Sequence, residues 1–265
     1  MRARCLLPLL LRFCCVSAVS LTAVELPVGE TSAVPALVGG AKGAPAVIVI
    51  QEWWGVTPQI QAHALRLAKE GYRVLIPDVY KGEVGADAEE AHHLMSGLDF
   101  PAAVGEIASA ASHLRAEGSP RVGVVGFCMG GALTLIVASK AEAAALVACA
   151  ASFYGVPGAD ACDFSRVACP LQAHFGEEDT LEGFSDPSAA KRLEDALTSA
   201  GDKRFEILRY PRVGHAFLND LPEPFADFDA REKAQGFPPR DEAVVAEAWA
   251  NLEKFFDEHL GEKKE

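Results

Sequence analysis

Short apolar runs rich in Val, Ile and Leu alternate with amphipathic stretches through most of the chain. The apolar runs predict buried strands, whereas the amphipathic stretches predict helices over residues 57–70, 101–117, 130–143, 188–200 and 241–260. The strand sequences are PAVIVI, YRVLIP, RVGVVGF, ALVACAASFYG, PLQAHFG and FEILRYP. Strands of this kind, separated by helices, indicate an α/β fold with a mostly parallel central sheet and helices on both faces. No repeat or low-complexity linker interrupts the alternation, so residues 24–265 are expected to form one domain.

The formal net charge of −13 excludes some classes of partner. An acidic surface repels phosphate backbones, so we expect no nucleic acid partner. Half of the 265 residues are apolar, which is enough for a core without disulfide support. Three cysteines of the body, Cys149, Cys162 and Cys169, are predicted to be small buried hydrophobic residues.

The first 23 residues differ from the rest in composition. They contain Arg2, Arg4 and Arg12, no acidic residue, and small residues at 17–20. This composition predicts a targeting segment, either a secretory signal or an organelle transit peptide. It is too short and too interrupted to cross a membrane, so we expect no membrane association. The expected location is the cytoplasm or an organelle lumen, and the secretory route stays open.

Chemically active side chains follow several of the predicted strands. Cys128 ends the run VGVVGF, an acidic cluster with Asp179 follows PLQAHFG, and His215 follows FEILRYP. In open parallel sheets, binding sites form at the carboxyl ends of the strands. The order nucleophile, acid, histidine is the chain order of the α/β-hydrolase catalytic triad.

The sequence Gly126-Phe127-Cys128-Met129-Gly130 has the G-x-S-x-G nucleophile pattern with cysteine at the serine position. The turn from strand to helix is so sharp there that a Cβ at either glycine would strike the strand or the helix. The start of the helix directs free N–H groups at the sulfur and favours a thiolate. The N–H of Met129 is then a candidate oxyanion donor.

GFCMGG, IVIQEWWG, IPDVY, FGEEDT and GHAF together resemble the dienelactone hydrolase family, a cysteine branch of the α/β hydrolases. The resemblance covers the chain from about residue 25 to the last helix. It implies an α/β-hydrolase fold and hydrolysis of an ester or lactone through a thioester acyl-enzyme. By motif position it implies roles for five residues: Cys128 as nucleophile, Asp179 as acid, His215 as base, Glu52 as the carboxylate that contacts the resting thiol, and Trp53 as the second oxyanion donor.

A small-molecule substrate and a monomer are expected. No cofactor or metal site is predicted, since the sequence has neither a dinucleotide-binding glycine pattern nor zinc-ligand spacing. Other histidines have simpler interpretations. His63, His92 and His93 are predicted to lie at the surface, and His174 to be buried and hydrogen-bonded.

The chain departs from the family where substrate carboxylates are bound. One family arginine follows the Pro-Asp-x-Tyr stretch, where this chain has Lys81, and another follows the histidine, where this chain has residues 217–220. Loss of a guanidinium removes bidentate carboxylate recognition, so the substrate is expected to be an ester, lactone or thioester without that group. The candidate pocket residues are Trp54, Tyr80, Lys81 and Phe217. Residues 221–240 are either a loop over the pocket or a long connection.

Two other functions stay open from the sequence alone. The scaffold could be a small-molecule receptor without turnover, because hydrolase pockets can bind without catalysis. Alternatively, oxidation of Cys128 could itself be the signal of a redox-responsive protein.

Overall fold

A computed structural model describes residues 19–29, 32–202 and 204–261. The strands are β1 (Thr22–Val28), β2 (Ser32–Gly39), β3 (Ala46–Ile50), β4 (Arg73–Pro77), β5 (Val122–Phe127), β6 (Cys149–Phe153), β7 (Leu171–Gly176) and β8 (Phe205–Tyr210). The α-helices are α1 (Pro58–Lys69), α2 (Ala88–Gly97), α3 (Phe100–Ala116), α4 (Met129–Ser139), α5 (Ala141–Ala144), α6 (Pro187–Ser199), α7 (Phe228–Gln235) and α8 (Glu242–Leu260), and a 3₁₀ turn spans Phe164–Arg166.

The eight strands form one sheet in the order β1-β2-β4-β3-β5-β6-β7-β8. The strands from β4 to β8 in this order pair in parallel, whereas β2 runs antiparallel to both β1 and β4. Because β3 and β5 to β8 all point the same way, their carboxyl ends meet at one edge of the sheet. This is the mostly parallel, helix-covered sheet that the sequence predicts.

Two hydrophobic clusters pack on opposite faces of the sheet. Alternate residues of each central strand feed opposite clusters, as the period of two in a strand requires: Ile48 and Val124 lie in one, Val47 and Val125 in the other. Helices α3, α4 and α6 cover the first face, while α1 and α8 cover the second. Every residue of β3, β4 and β5 is buried, which explains their continuous apolar sequences.

The buried helix α4 has apolar residues on all sides and no polar stripe. Several other helices begin at side chains that satisfy their first free N–H groups. Thr57 caps α1, Asp99 caps α3 and Asp241 caps α8. The helix boundaries expected near 57, 101 and 241 therefore coincide with polar N-caps.

Two features of the fold differ from the sequence prediction. Thr22 and Ala23, assigned to the targeting segment, pair in β1, and the preceding residues 1–18 lie outside the described part of the chain. His63 was predicted at the surface, and this is wrong: it is buried between Phe127 and Trp249, at ring-centroid distances of 4.5 and 5.3 Å. Its place on the apolar face of α1 accounts for this.

Other expectations about single residues agree with the structure. His92 and His93 are exposed on α2, and His174 is buried in β7, where its ring nitrogens contact Tyr210 and Gln172. Cys149, Cys162 and Cys169 are free and buried, and burial raises the pKa of each thiol. Among the residues from 19 to 261 that are described, no helix is both long and apolar enough to cross a membrane.

Candidate active site

Cys128 lies at the turn between β5 and α4 with a positive φ, at φ 54° and ψ −117°. Such a conformation is strained for a residue with a side chain and is found mainly at functional sites. The flanking glycines make the turn possible. A Cβ at Gly126 would lie 2.0 Å from the carbonyl oxygen of Gly130, and one at Gly130 would lie 2.5 Å from that of Gln51. The turn therefore requires glycine at both positions.

Asp179 and His215 follow β7 and β8 and meet beside this turn. Oδ2 of Asp179 lies 2.9 Å from Nδ1 of His215, and Oδ1 of Asp179 accepts the N–H of Leu181 at 3.0 Å. Both side chains are buried. Since a carboxylate only accepts hydrogen bonds, Nδ1 carries a proton, and in the neutral ring Nε2 is the free base. Nε2 is buried and has no hydrogen-bond partner of good geometry among the described residues.

The charge on His215 is set by its neighbours. Burial lowers the pKa of the imidazole, but the Cys128 sulfur and the Asp179 carboxylate raise it more strongly, to about 10. Both groups favour the protonated ring, which is the usual cause of a raised histidine pKa. His215 and Cys128 also line the same cavity.

Glu52 follows β3 and is 3% exposed. Nδ2 of Asn219 lies 3.2 Å from each of its carboxylate oxygens. Burial raises the pKa of this carboxyl group, while His215, Asn219 and Arg231 oppose the shift. Glu52 and Cys128 line the same cavity.

A small cavity lies over Cys128, with a volume of about 20 Å³. On this measure one water molecule needs about 10–15 Å³, so the cavity holds about one. The body of the protein and residues 221–240, here named the cover, both contribute to its walls. The lining residues are Glu52, Trp53, Trp54, Cys128, His215, Ala216, Asn219, Glu223, Phe225, Arg231, Gln235 and Phe237.

The residues predicted for the substrate pocket take different positions. Trp54 lines the cavity and meets Phe225 of the cover edge-on, with ring centroids 6.0 Å apart. Tyr80 is buried and does not line this cavity, and its hydroxyl donates to Sδ of Met129 at 3.2 Å. Phe217 packs in the core against Tyr154, and Lys81 is exposed and paired with Glu106; neither lines this cavity.

The predicted oxyanion donors lie in two separate turns. Met129 is the first residue of α4, directly after Cys128, and Trp53 lines the cavity from the turn after β3. The turn holding Trp53 is closed by a hydrogen bond of 3.2 Å from the N–H of Gly55 to the carbonyl oxygen of Glu52.

Sequence reasoning missed several residues of the site. Ser185 places Oγ 3.0 Å from Nδ1 of His215, where it acts as a second acceptor. Asn219 holds Glu52, and Arg231 lines the cavity from α7. One sequence pattern could have found α7: Asp227 and Gly236 bracket it as N-cap and left-handed C-terminal residue. Nothing local to Ser185 or Asn219 indicates their partners, which are 30 and 167 residues away.

The sheet order and the position of the nucleophile turn define an α/β-hydrolase fold. The dienelactone hydrolase family profile matches residues 34–260. The chain therefore belongs to the dienelactone hydrolase family. This membership confirms the predicted enzyme class, a hydrolase acting on ester or lactone bonds.

Individual relatives agree with this assignment. The carboxymethylenebutenolidase of Pseudomonas putida is 33% identical over 196 residues, covering 69% of this chain and 79% of its own. That of Rhodococcus opacus is 28% identical over 227 residues, covering 81% of each chain. Among solved structures, a dienelactone hydrolase-like promiscuous phosphotriesterase from metagenomic libraries has a TM-score of 0.75 at 21% identity, covering 92% of this chain and 100% of its own. At that identity the structural likeness establishes the fold alone.

Proposed function

We propose that this protein hydrolyses an ester or lactone of a small molecule through a Cys128–His215–Asp179 triad. The observation that carries the proposal is the arrangement of His215. One ring nitrogen lies 2.9 Å from the buried carboxylate of Asp179, and the ring lines the same small cavity as Cys128. This arrangement supports the roles of nucleophile, base and orienting carboxylate for the three residues.

In the first half of the reaction, the Cys128 thiol gives its proton to Nε2 of His215, the sulfur attacks the carbonyl carbon, and a C–S bond forms. The carbonyl electron pair moves to oxygen, where the N–H groups of Trp53 and Met129 would stabilise it. Collapse of this intermediate breaks the C–O bond to the leaving alkoxide, and His215 donates its proton to that oxygen. The product is a thioester on Cys128, which in the case of a lactone still carries the released hydroxyl group.

In the second half, His215 takes a proton from water and the hydroxide attacks the thioester carbon. The C–S bond breaks, the acid is released, and His215 returns its proton to the sulfur. Asp179 stabilises the imidazolium in both halves. Glu52 lines the same cavity as Cys128, and a carboxylate close to the thiol would oppose loss of its proton until substrate arrives.

Stopped-flow hydrolysis of p-nitrophenyl esters and of a lactone panel tests the proposal. Wild-type protein should give a burst of one p-nitrophenolate per site, and Cys128→Ala and His215→Ala should each lower kcat by about 10⁴-fold or more. Cys169→Ala is the matched control, since this thiol is buried away from the cavity, and its rate should equal that of wild type.

Other results would favour the other functions. Tight binding of an ester without burst or turnover would indicate a receptor. A peroxide-dependent response that survives His215→Ala would indicate a redox protein. Wild-type rates in Cys128→Ala would exclude the triad.

A further inference from the structure

Nδ1 of His215 has two oxygen atoms within hydrogen-bond distance, although it carries only one hydrogen. Oδ2 of Asp179 lies at 2.9 Å and Oγ of Ser185 at 3.0 Å. Both side chains are shielded from solvent, with Asp179 3% and Ser185 0% exposed. The Nδ1 proton therefore has two acceptors available, and the proposed triad uses only one of them.

The Ser185 hydroxyl is directed at His215 alone. Among the residues that the structure describes, Nδ1 of His215 is its only hydrogen-bond partner. Burying a hydroxyl group costs free energy unless it is hydrogen-bonded, and buried polar groups nearly always have a partner. Hydrogen bonding to the imidazole is therefore what satisfies this buried hydroxyl.

One loop after β7 fixes both acceptors. The N–H of Leu181 donates to Oδ1 of Asp179 at 3.0 Å, and the carbonyl oxygen of Leu181 accepts the N–H of Ser185 at 3.1 Å. The residue after Ser185, Asp186, is the N-cap of α6. Backbone that is hydrogen-bonded on one side and joined to a capped helix on the other holds a side chain in a defined position. Oγ of Ser185 and the carboxylate of Asp179 thus belong to one rigid unit.

The other contacts of the His215 ring are aromatic. The ring centroids of Tyr154, Phe237 and Phe184 lie 5.0, 5.7 and 6.2 Å from its own. These rings limit tilting of the imidazole, but among the described residues only the two oxygens lie within hydrogen-bond distance of Nδ1. Phe237 belongs to the cover, so its contact is lost when the cover moves away from the cavity. Ser185 belongs to the body, and its contact with the ring does not depend on the cover.

We propose that Ser185 is a positioning residue that shares the Nδ1 proton of His215 with Asp179 and holds the base by itself when Asp179 is removed. This inference rests on the proposed function. A hydroxyl oxygen is a weaker acceptor than a carboxylate, so Ser185 contributes little while Asp179 is present. When the carboxylate is absent, the hydroxyl is the remaining acceptor that keeps the proton on Nδ1 and leaves Nε2 free as the base.

A double-mutant cycle on p-nitrophenyl acetate tests the inference. In the wild-type background, Ser185→Ala should lower kcat about 2- to 12-fold, the range of one neutral hydrogen bond. KM should change less than about twofold, because Ser185 does not line the cavity over Cys128. In the Asp179→Ala background, the same substitution should lower the remaining kcat about 12- to 150-fold, because the hydroxyl is then the only acceptor for the charged ring.

Alkylation of Cys128 by iodoacetamide gives a second readout that needs no ester turnover. The thiolate is the reacting form, and a protonated His215 stabilises it. Ser185→Ala should therefore slow alkylation at pH 7, and by a larger factor in the Asp179→Ala background. Ser139→Ala is the matched control, since this hydroxyl is also buried but donates to the carbonyl oxygen of Ile136 at 2.9 Å, at the far end of α4. It should change neither rate in either background.

The cycle separates positioning of His215 from a general effect on folding. An equal loss of kcat in the two backgrounds, no loss in either, or a change in KM alone would overturn the inference. If circular dichroism shows that Asp179→Ala is unfolded, Asp179→Asn takes its place in the cycle with the same expectation. Absence of ester turnover in wild type would contradict the proposed function, and the alkylation rates would still decide whether Ser185 acts on His215.

Discussion

The two walls of the cavity are built in opposite ways. On one side, residues 126–131 are all buried, and a Cβ at Gly126, Gly130 or Gly131 would collide with backbone. On the other side, only Arg231 and Phe237 of the cover are buried. The first wall is fixed by close backbone contacts, whereas the second depends on a few side chains. The difference indicates where the protein can move: segments with few buried contacts open at low free-energy cost.

A few polar contacts hold the cover to the body. At its start, the N–H groups of Asp220 and Leu221 donate to Oε1 of Gln59 at 2.8 and 2.6 Å. In its middle, Arg231 bonds Ala216, and at its end Arg240 bonds Leu218 and Asn219. These anchors lie beside the cavity, so opening of the cover and access to Cys128 should occur together.

The largest effect on stability is expected from a substitution in the nucleophile turn, which forms the first wall. Gly126→Ala would place a methyl group 2.0 Å from the Gly130 carbonyl, with no flexible side chain to give way. We expect loss of the fold or a destabilisation above about 3 kcal/mol, measured by urea unfolding and circular dichroism.

The matched control for this variant is Gly105→Ala. Gly105 lies on the exposed side of α3, and a Cβ there meets nothing within 4 Å. This change should stabilise the protein by about 0.5–1 kcal/mol. A stable and active Gly126→Ala protein would contradict the steric account of the turn.

A smaller effect on stability is expected from protonation of His63, which packs on Phe127 and lies near Asn219. Burial lowers the pKa of His63 to about 4, below its ordinary value of 6.5. The unfolded chain therefore binds the proton first, and the stability due to neutral His63 is lost as pH falls from about 6.5 to 4, by about 1.4 kcal/mol per unit.

His174, with its pKa lowered by burial to about 3, adds a second loss over the same pH range and extends it to lower pH, whereas His215 has a raised pKa and does not add to it. Urea unfolding of wild type between pH 7 and 4 should show the decline, and His63→Phe should flatten part of it. Substitution of the exposed His92 by Gln should leave the profile unchanged. A wild-type stability independent of pH over this range would exclude a buried neutral His63.

The smallest effect on stability is expected from removing a contact between the cover and the rest of the protein. Phe225→Ala removes the edge-on contact with Trp54. The free energy of unfolding should fall by no more than about 1.5 kcal/mol, because Phe225 is only half-buried. Labelling of Cys128 by iodoacetamide should become several-fold faster, measured by mass spectrometry of the intact protein. Unchanged labelling would mean that the cover does not limit access.

The rigid wall and the sheet could be read from the sequence because local constraints determine them. Buried parallel strands need continuous apolar runs, and a sharp strand-to-helix turn needs glycines at fixed spacing. By contrast, β1 and β2 were not predicted from the sequence. Only Leu26 of β1 is buried, and Pro35 interrupts β2, so neither has the composition of a central strand.

The candidate site was predictable only where its residues follow strand ends. Cys128, Asp179, His215 and Glu52 do so, and the fold brings them to one edge of the sheet. Arg231 lies in a short, mostly exposed helix whose position depends on contacts with Ala216 and Phe237. Its sequence neighbours give no indication that it reaches the cavity, since that is a property of tertiary packing.

The burial of Cys149, Cys162 and Cys169 determines which thiol is most exposed to oxidation. Among the four cysteines of the described chain, Cys128 alone lines the cavity at the nucleophile turn, and burial disfavours the reactive thiolate form of the other three. Oxidation of the described cysteines should therefore be concentrated on the Cys128 sulfur. Under the proposed function, an oxidised sample would contain folded molecules of two kinds, active ones with an intact Cys128 thiol and inactive ones with an oxidised Cys128.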